Sequence, residues 1–394
     1  MKDHMRNFVF ITHNPDTFSN PMLVALFEEL QKKGKVTLFA PEQKFERPDS
    51  LRSMEIHRAP VIKYKFSFKP IIALMTFFNY LRLRKAIKQI DECVLAGIDP
   101  KGLITAANNS QYFRSVEKLG YISFEIFFWD ELQNSPGSMM EKEWEVMSSK
   151  DLDFVIISDE RRFKLLMNEN RLREDIDVFY VPVAPKNTMK PPGHTRRDGL
   201  ARVVYSGSLS PEYGVDHLLN ALESGIGTNL DLEFHSRYKL TEDNAYRKRI
   251  AKLQSTGVNI RLHDKVFHEQ EEYLSYLSGV DVGICFYVPS EKYGKYGNKN
   301  IKYIGLSSGK LSYFAMMGIP VLMYGCEQFD DLNRKFDFGY VLKDPGKFQT
   351  GVENIMGNFV SKRNGCEKLY NELLEPEKNL EPLIRYLCLE NMLT

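Results

Sequence analysis

The sequence predicts an α/β chain built as two Rossmann-like domains in tandem. Short apolar runs alternate with stretches whose apolar residues recur at helical spacing, as in a parallel sheet covered on both faces. The series is broken once, by a segment rich in proline, glycine and charge. It then starts afresh at Ala201 with the same alternation. The expected layout is a first domain over 1–186, a linker over 187–200 and a second domain over 201–365. A helical segment over 366–394 is expected to pack back on the first domain. Two such domains place a cleft between the carboxyl ends of their sheets.

The elements follow in order. NFVFIT reads as a buried first strand, with Phe8 to Thr12 at its centre. Pro21 to Lys33 carries apolar residues at helical spacing, Gly34 stops that helix, and VTLFAP is the next strand. GLITAA near Leu103, ISFEIFFW near Phe124, DFVIIS near Val155 and DVFYVPV around Phe179 read as further strands. Lys186 to Leu200 (KNTMKPPGHTRRDGL) has the composition of a linker. Beyond it, ARVVYSGS, LDLEFHS, VNIRLH, VDVGICFY, IPVLMY and FGYVL read as strands with helices between them.

Composition narrows the function classes. A chain of 394 residues buries a core without staples, and a net charge of +1 gives no basic field for nucleic acid. The five cysteines are scattered and odd in number, which suits reduced thiols in the cytoplasm better than disulfides or zinc. MKDHMRNFVFITHN lacks the apolar run and cleavage site of a signal peptide, and no apolar run is long enough to span a bilayer. The expected location is therefore the cytoplasm, with the inner membrane face as a place of work. Lys63 to Ile90 bears on that point. Its aromatics and aliphatics lie among Lys63, Lys65, Lys69, Arg82, Arg84, Lys85 and Lys88. Such a stretch fits the edge of an anionic membrane, and equally a core helix with a solvated basic end.

The richest stretch runs from Gly305 to Gly325, a small-residue loop, a short apolar helix and a buried strand. The helix opens at Ser307, Ser308 and Gly309, with Lys310 and Leu311 in its first turn. Free N–H groups and the positive end of the dipole make such a start an anion site, and Lys310 adds a point charge suited to phosphate. An ordinary capped helix whose lysine points to solvent has the same sequence.

Further motifs narrow the choice. YSGSLSPEYGVDHLLNAL opens the second domain with Gly207, Leu209, Ser210, Pro211, Glu212 and Gly214, followed by Val215 and Asp216. Lys310 and Leu311, then Gly318, Pro320 and Val321, form a second ordered set, and VDVGICFY lies between the two. In these residues the chain resembles GT-B glycosyltransferases, especially glycosyltransferase family 4. The resemblance implies a GT-B fold, a nucleotide-sugar donor as substrate, and retention of anomeric configuration. Three family contacts are replaced: the phosphate-binding arginine falls on Ser208, a lysine on Tyr213, and a glutamate that holds the donor ribose on Tyr313. No Asp-x-Asp motif stands in a donor-loop position, so neither a metal nor a resident cofactor is expected.

A diphosphate leaving group needs its developing charge stabilised by preorganised donors. Ser307, the amides of Ser308, Gly309, Lys310 and Leu311, and the Lys310 amine are the first candidates. Arg237, at a strand end, is the substitute for the missing arginine, and Gly207 with Ser208 lets the donor approach the backbone. The resemblance implies that the base lies against HDKVFH, through Val266 and His268, and that the loop from Val288 to Gly305 surrounds the sugar. An inverting transfer needs a base for the acceptor hydroxyl and a retaining one in this fold can do without; where one acts, it is expected in the first domain, with Asp130 first, then His13 and Asp16. The whole reads as a glycosyltransferase acting on a glycan or lipid-linked acceptor in surface polysaccharide biosynthesis. The same residues also admit a scaffold that has lost turnover, and a nucleotide-sugar epimerase.

Overall fold

The computed structural model describes residues 6–58, 81–132, 136–188, 200–227 and 229–388. The chain divides into two compact units, Met1–Val183 with Pro376–Thr394, and Ala184–Glu375. Each unit is a parallel sheet covered by helices.

In the first unit the strands are β1 (Arg6–Ile11), β2 (Gly34–Ala40), β3 (Glu55–Arg58), β4 (Glu92–Ile98), β5 (Ser115–Ser123), β6 (Phe154–Ile157) and β7 (Asp177–Tyr180). They lie in the order β3-β2-β1-β4-β5-β6-β7, all parallel. The helices are α1 (Pro21–Gln31), α2 (81–87), α3 (Asp99–Asn109), α4 (Trp129–Leu132), α5 (Pro136–Ser148) and α6 (Glu160–Asn170). Asn20 caps α1 by accepting from the Met22 and Leu23 amides at 3.0 and 3.2 Å, and Pro21 fills the first turn.

Two strand expectations are corrected here. GLITAA belongs to α3, and the strand is the preceding ECVLAGI. A short apolar run carries no periodicity that separates helix from strand, and Pro100 in the first turn of α3 is the local sign of a helix start. The second half of ISFEIFFW also leaves the sheet, because β5 ends at Ser123 and Ile126, Phe127 and Phe128 are buried in the loop that follows.

Most of the basic apolar stretch, residues 63–80, lies outside the described residues. Its described end, α2, turns Leu83 and Ile87 into the core, and Arg84 stacks on the Tyr112 ring at 3.9 Å. Among the described residues no helix is long and apolar enough to cross a membrane.

In the second unit β8 (Arg202–Gly207), β9 (Asp231–Ser236), β10 (Ile260–His263), β11 (Val282–Phe286), β12 (Val321–Tyr324) and β13 (Gly339–Val341) take the order β10-β9-β8-β11-β12-β13. The helices are α7 (Val215–Glu223), α8 (Ala245–Ser255), α9 (Gln270–Leu277), α10 (Lys299–Lys302), α11 (Gly309–Met316), α12 (Gln328–Phe336), α13 (Phe348–Gly357) and α14 (Phe359–Leu369). Residues 366–375 stay with this unit instead of leaving with the C-terminal segment. The Cys366 thiol donates to the Ile319 and Phe338 carbonyls at 3.3 Å, and the Tyr370 hydroxyl to Pro185 O at 2.7 Å. The last helix, α15 (Pro376–Cys388), belongs to the first unit: Tyr386 packs against Phe154 and Phe179, and Arg6 donates to Leu387 O at 2.6 Å. Of the expected linker, residues 189–199 lie outside the described residues.

Candidate functional site

In an open parallel sheet ligands bind beyond the carboxyl ends of the strands, where the strand order reverses. In the second unit that point lies between β8 and β11. The chain leaves β8 at Gly207, whose φ of +146° is a conformation that a residue with a Cβ rarely adopts. Space is not the constraint, since an added Cβ would meet nothing nearer than the Tyr205 hydroxyl at 3.8 Å. Two bonds hold this turn. The Tyr205 hydroxyl donates to the Ser208 carbonyl at 2.6 Å, and the Arg237 amide to the Gly207 carbonyl at 3.2 Å.

Across the switch point, β11 leads through Tyr287 towards α11. Ser308 is buried and caps α11, its Oγ accepting the Leu311 amide at 3.3 Å and bonding the Tyr287 hydroxyl. Ser307 lies in the turn before it and donates its amide to Ile304 O at 2.7 Å. The Leu311 amide is therefore taken by the cap and the Ser308 amide by Gly305 O at 3.2 Å, which leaves Gly309 and Lys310 to supply the open amides of the helix start. Lys310 differs from the solvent-pointing or site-pointing lysine that the sequence admits. Its amine is turned inward among the rings of Tyr205, Tyr213 and Tyr287.

Arg237 follows β9, with its guanidinium 5.2 Å from the Tyr238 ring and its charge felt at Tyr273 and Tyr313. Tyr313 meets Tyr273 edge-on at 4.8 Å, which makes it part of an aromatic cluster. A hydrogen-bond relay runs behind it. His235 Nε2 faces the Lys265 carbonyl at 3.2 Å, which can only accept, so that nitrogen carries the proton. Nδ1 then accepts from Ser206 Oγ at 2.7 Å, and Ser206 in turn accepts from the Tyr273 hydroxyl at 2.7 Å. Burial holds the His235 pKa down at about 4, so the ring is neutral.

Beside it His263 stacks on Phe267 and Tyr276, at 5.6 and 4.9 Å. Val266 is half-buried and His268 exposed. Phe267 between them is the residue that enters the cluster. The loop after Val288 is organised by the Ser290 amide donating to Gly297 O at 2.9 Å, and by α10.

In the first unit the strand order reverses between β1 and β4. His13, just past β1, is hydrogen-bonded through Nε2 to Thr105 Oγ1 at 2.8 Å. Because that hydroxyl gives its proton to Lys101 O, the histidine donates, and Nδ1 keeps its lone pair. Burial, helped by the Lys101 charge, lowers its pKa to about 4. Asp16 follows in the same loop and is ion-paired with Lys44 at 3.5 Å. Asp130 is exposed on α4, away from the strand end, because β5 stops at Ser123.

The deeper carboxylates are Asp99 and Glu125, which the sequence does not single out. Asp99, directly after β4, has φ +59° and accepts the Phe124 and Glu125 amides at 3.0 Å. Its pKa is pushed up to about 6 by burial, against those amides and Arg162. Burial, with the Asp99 charge adding to it, raises Glu125 to about 8. Both residues keep some contact with solvent by area, although their carboxyl groups lie deep among neighbouring atoms. The available signal is the Asp-Pro step after a strand, hidden when GLITAA is taken for that strand.

No family model matches the sequence, and no curated protein does. Solved structures match over nearly the full length. HepE from Anabaena in complex with UDP is similar with a TM-score of 0.69 at 11% identity, over 97% of this chain and 99% of that one. The sucrose-phosphate synthase of Thermosynechococcus elongatus gives 0.67 at 14% identity, over 97% and 98%. WaaG, a glycosyltransferase involved in lipopolysaccharide biosynthesis, gives 0.64 at 11% identity, over 96% and 99%. At these identities the likeness establishes the fold. The chain has the GT-B fold of two Rossmann-like domains.

Proposed function

We propose that this GT-B chain is a glycosyltransferase that passes a sugar from a nucleotide-sugar donor to a glycan or lipid-linked acceptor. The observation that carries the reading is the pairing of the Gly207–Ser208 turn with the open start of α11 at the switch point of the second unit. Exposed amides at a helix start suit a diphosphate. HepE has been solved with UDP and with UDP-glucose, which supports the same donor class here.

In this reading the Gly309 and Lys310 amides meet the phosphates, and Arg237 neutralises their charge as the nucleoside diphosphate departs. Ser307 and Ser208 border the phosphates, and Val266, Phe267 and His268 border the base. Of the three bases expected in the first unit, His13 is preferred, because its Nδ1 offers a lone pair to a hydroxyl. Asp16 is engaged by Lys44, and Asp130 stands exposed on α4. Transfer proceeds with retention and without a metal. The acceptor belongs to surface polysaccharide synthesis, met in the cytoplasm at the inner membrane face.

A second reading has one specific observation in its favour. Tyr313 fills the family's glutamate position with an aromatic ring packed on Tyr273, which suits a scaffold that binds donor without turning it over. Incubation with a panel of nucleotide sugars, without acceptor, separates the two. Slow release of nucleoside diphosphate from one donor supports the transferase. Binding without release supports the scaffold, and neither binding nor release removes both.

A further inference from the structure

The least expected side chain of the second unit is Lys310. Its Nζ is sealed from solvent and makes no hydrogen bond among the described residues, although the residue as a whole is partly exposed. The Tyr205, Tyr213 and Tyr287 ring centroids lie 4.7, 5.1 and 4.7 Å from it. Ring faces attract an ammonium, yet they return none of the hydrogen bonds that it gave up on leaving water. A buried cation with no carboxylate bonded to it leaves positive potential uncompensated at the base of α11.

The walls of this cage are also the ties of the candidate site. The Tyr205 hydroxyl holds the Ser208 carbonyl, and the Tyr287 hydroxyl bonds Ser308, the cap of α11. The amine thus sits beneath both the turn and the helix start.

We propose that Lys310 is the positioning residue of this anion site: its caged ammonium fixes the Ser208 turn and the Ser308 cap through Tyr205 and Tyr287, and its charge favours a nucleoside diphosphate without touching it. The inference rests on the donor-site reading above and names the residue that sets its charge.

Burial lowers the Lys310 pKa to about 8, with Cys285 opposing, so its charge changes in an accessible range. The other groups facing it are Cys285 from β11, pushed up to about 12, Tyr205 from β8 and Tyr287 after β11, both raised by burial well above the ordinary tyrosine value, and Tyr213. Glu212, next to Tyr213, acts on Tyr205 through its charge. As pH rises through about 8 the ammonium is lost, and diphosphate affinity falls with it.

The test titrates nucleoside diphosphates (UDP, GDP, dTDP and ADP) into wild type, Lys310→Met and Tyr287→Phe at pH 7 and pH 9, with melting of the free proteins alongside. Lys310→Met is expected to weaken binding roughly tenfold at pH 7. Wild type and this variant converge at pH 9, and the free variant melts no lower than wild type because a desolvated charge has gone. Tyr287→Phe is expected to weaken binding and keep the pH response. Should Lys310→Met fail to fold, loss of the pH response in Lys310→Gln serves in its place. A variant that melts lower yet binds as wild type at both pH values overturns the inference and leaves the donor site standing. A wild type that binds no diphosphate overturns the donor-site reading and the inference together.

Discussion

Gly207→Ala isolates the backbone of the proposed donor turn. The φ of +146° is the source of the cost, and a methyl group placed there meets only the Tyr205 hydroxyl at 3.8 Å. Packing therefore contributes little. Holding a residue with a Cβ in so sparsely populated a region costs about 1–3 kcal/mol. The protein has two ways to respond. It keeps the turn and loses that stability, or it relaxes the turn and breaks the bonds from Arg237 N–H to Gly207 O and from the Tyr205 hydroxyl to Ser208 O.

A bound diphosphate needs the turn intact, so the loss is shared between stability and affinity. The expected sum is about 1–3 kcal/mol, read as a melting temperature lower by about 2–4 °C per kcal/mol and as a weaker nucleotide Kd. Gly225→Ala is the control. Gly225 has φ +81° with nothing within 4 Å, beyond the end of α7, so the same kind of strain should lower stability and leave affinity alone. If Gly207→Ala melts and binds as wild type, the turn carries no strain and has no part in binding. If Gly225→Ala weakens binding equally, the effect is global and not a property of the turn.

Two further outcomes are expected. His235 has its pKa held at about 4 by burial, against an ordinary 6.5, so the unfolded chain binds more protons between those values. Its contribution to stability is full above pH 6.5, is lost as pH falls towards about 4, and amounts to at most about 3 kcal/mol. Urea unfolding from pH 7 to 4 should show that slope reduced in His235→Gln, and an unchanged slope would rule the histidine out as its source. In the first unit, Lys142 donates to Glu145 at 3.1 Å, with both side chains wholly buried. Lys142→Ala strands the carboxylate and should cost about 3–5 kcal/mol in denaturant unfolding. A loss below about 1 kcal/mol would mean that Glu145 is neutral without its partner.

The sheets are legible where a strand is a run of β-branched and aromatic residues bounded by turns, as in NFVFIT and ARVVYSGS. β4 and α3 are easily exchanged because Leu, Ile, Thr and Ala serve either element, and only the Asp99-Pro100 step separates them. β3, Glu55–Arg58, escapes because an edge strand that is mostly exposed carries no apolar run. At the site, Gly207 after a strand and Ser308 before a helix are local signals, and both residues occupy the places those signals imply. The direction of the Lys310 amine is not local. It depends on three tyrosines from three separate segments, which only the folded sheet brings together. Asp99 and Glu125 escape for the same reason, since their approach follows from the pairing of β4 with β5.

The central claim is a nucleoside diphosphate site on the second unit. A thermal-shift titration of the whole chain with UDP, GDP, dTDP, ADP and CMP tests it most directly. A ligand that binds the folded state raises the melting temperature in step with RT ln(1 + [L]/Kd). One nucleoside diphosphate is expected to raise it in a concentration-dependent way, and Gly207→Ala to diminish the rise. A melting temperature unmoved by every nucleotide at millimolar concentration would contradict the claim.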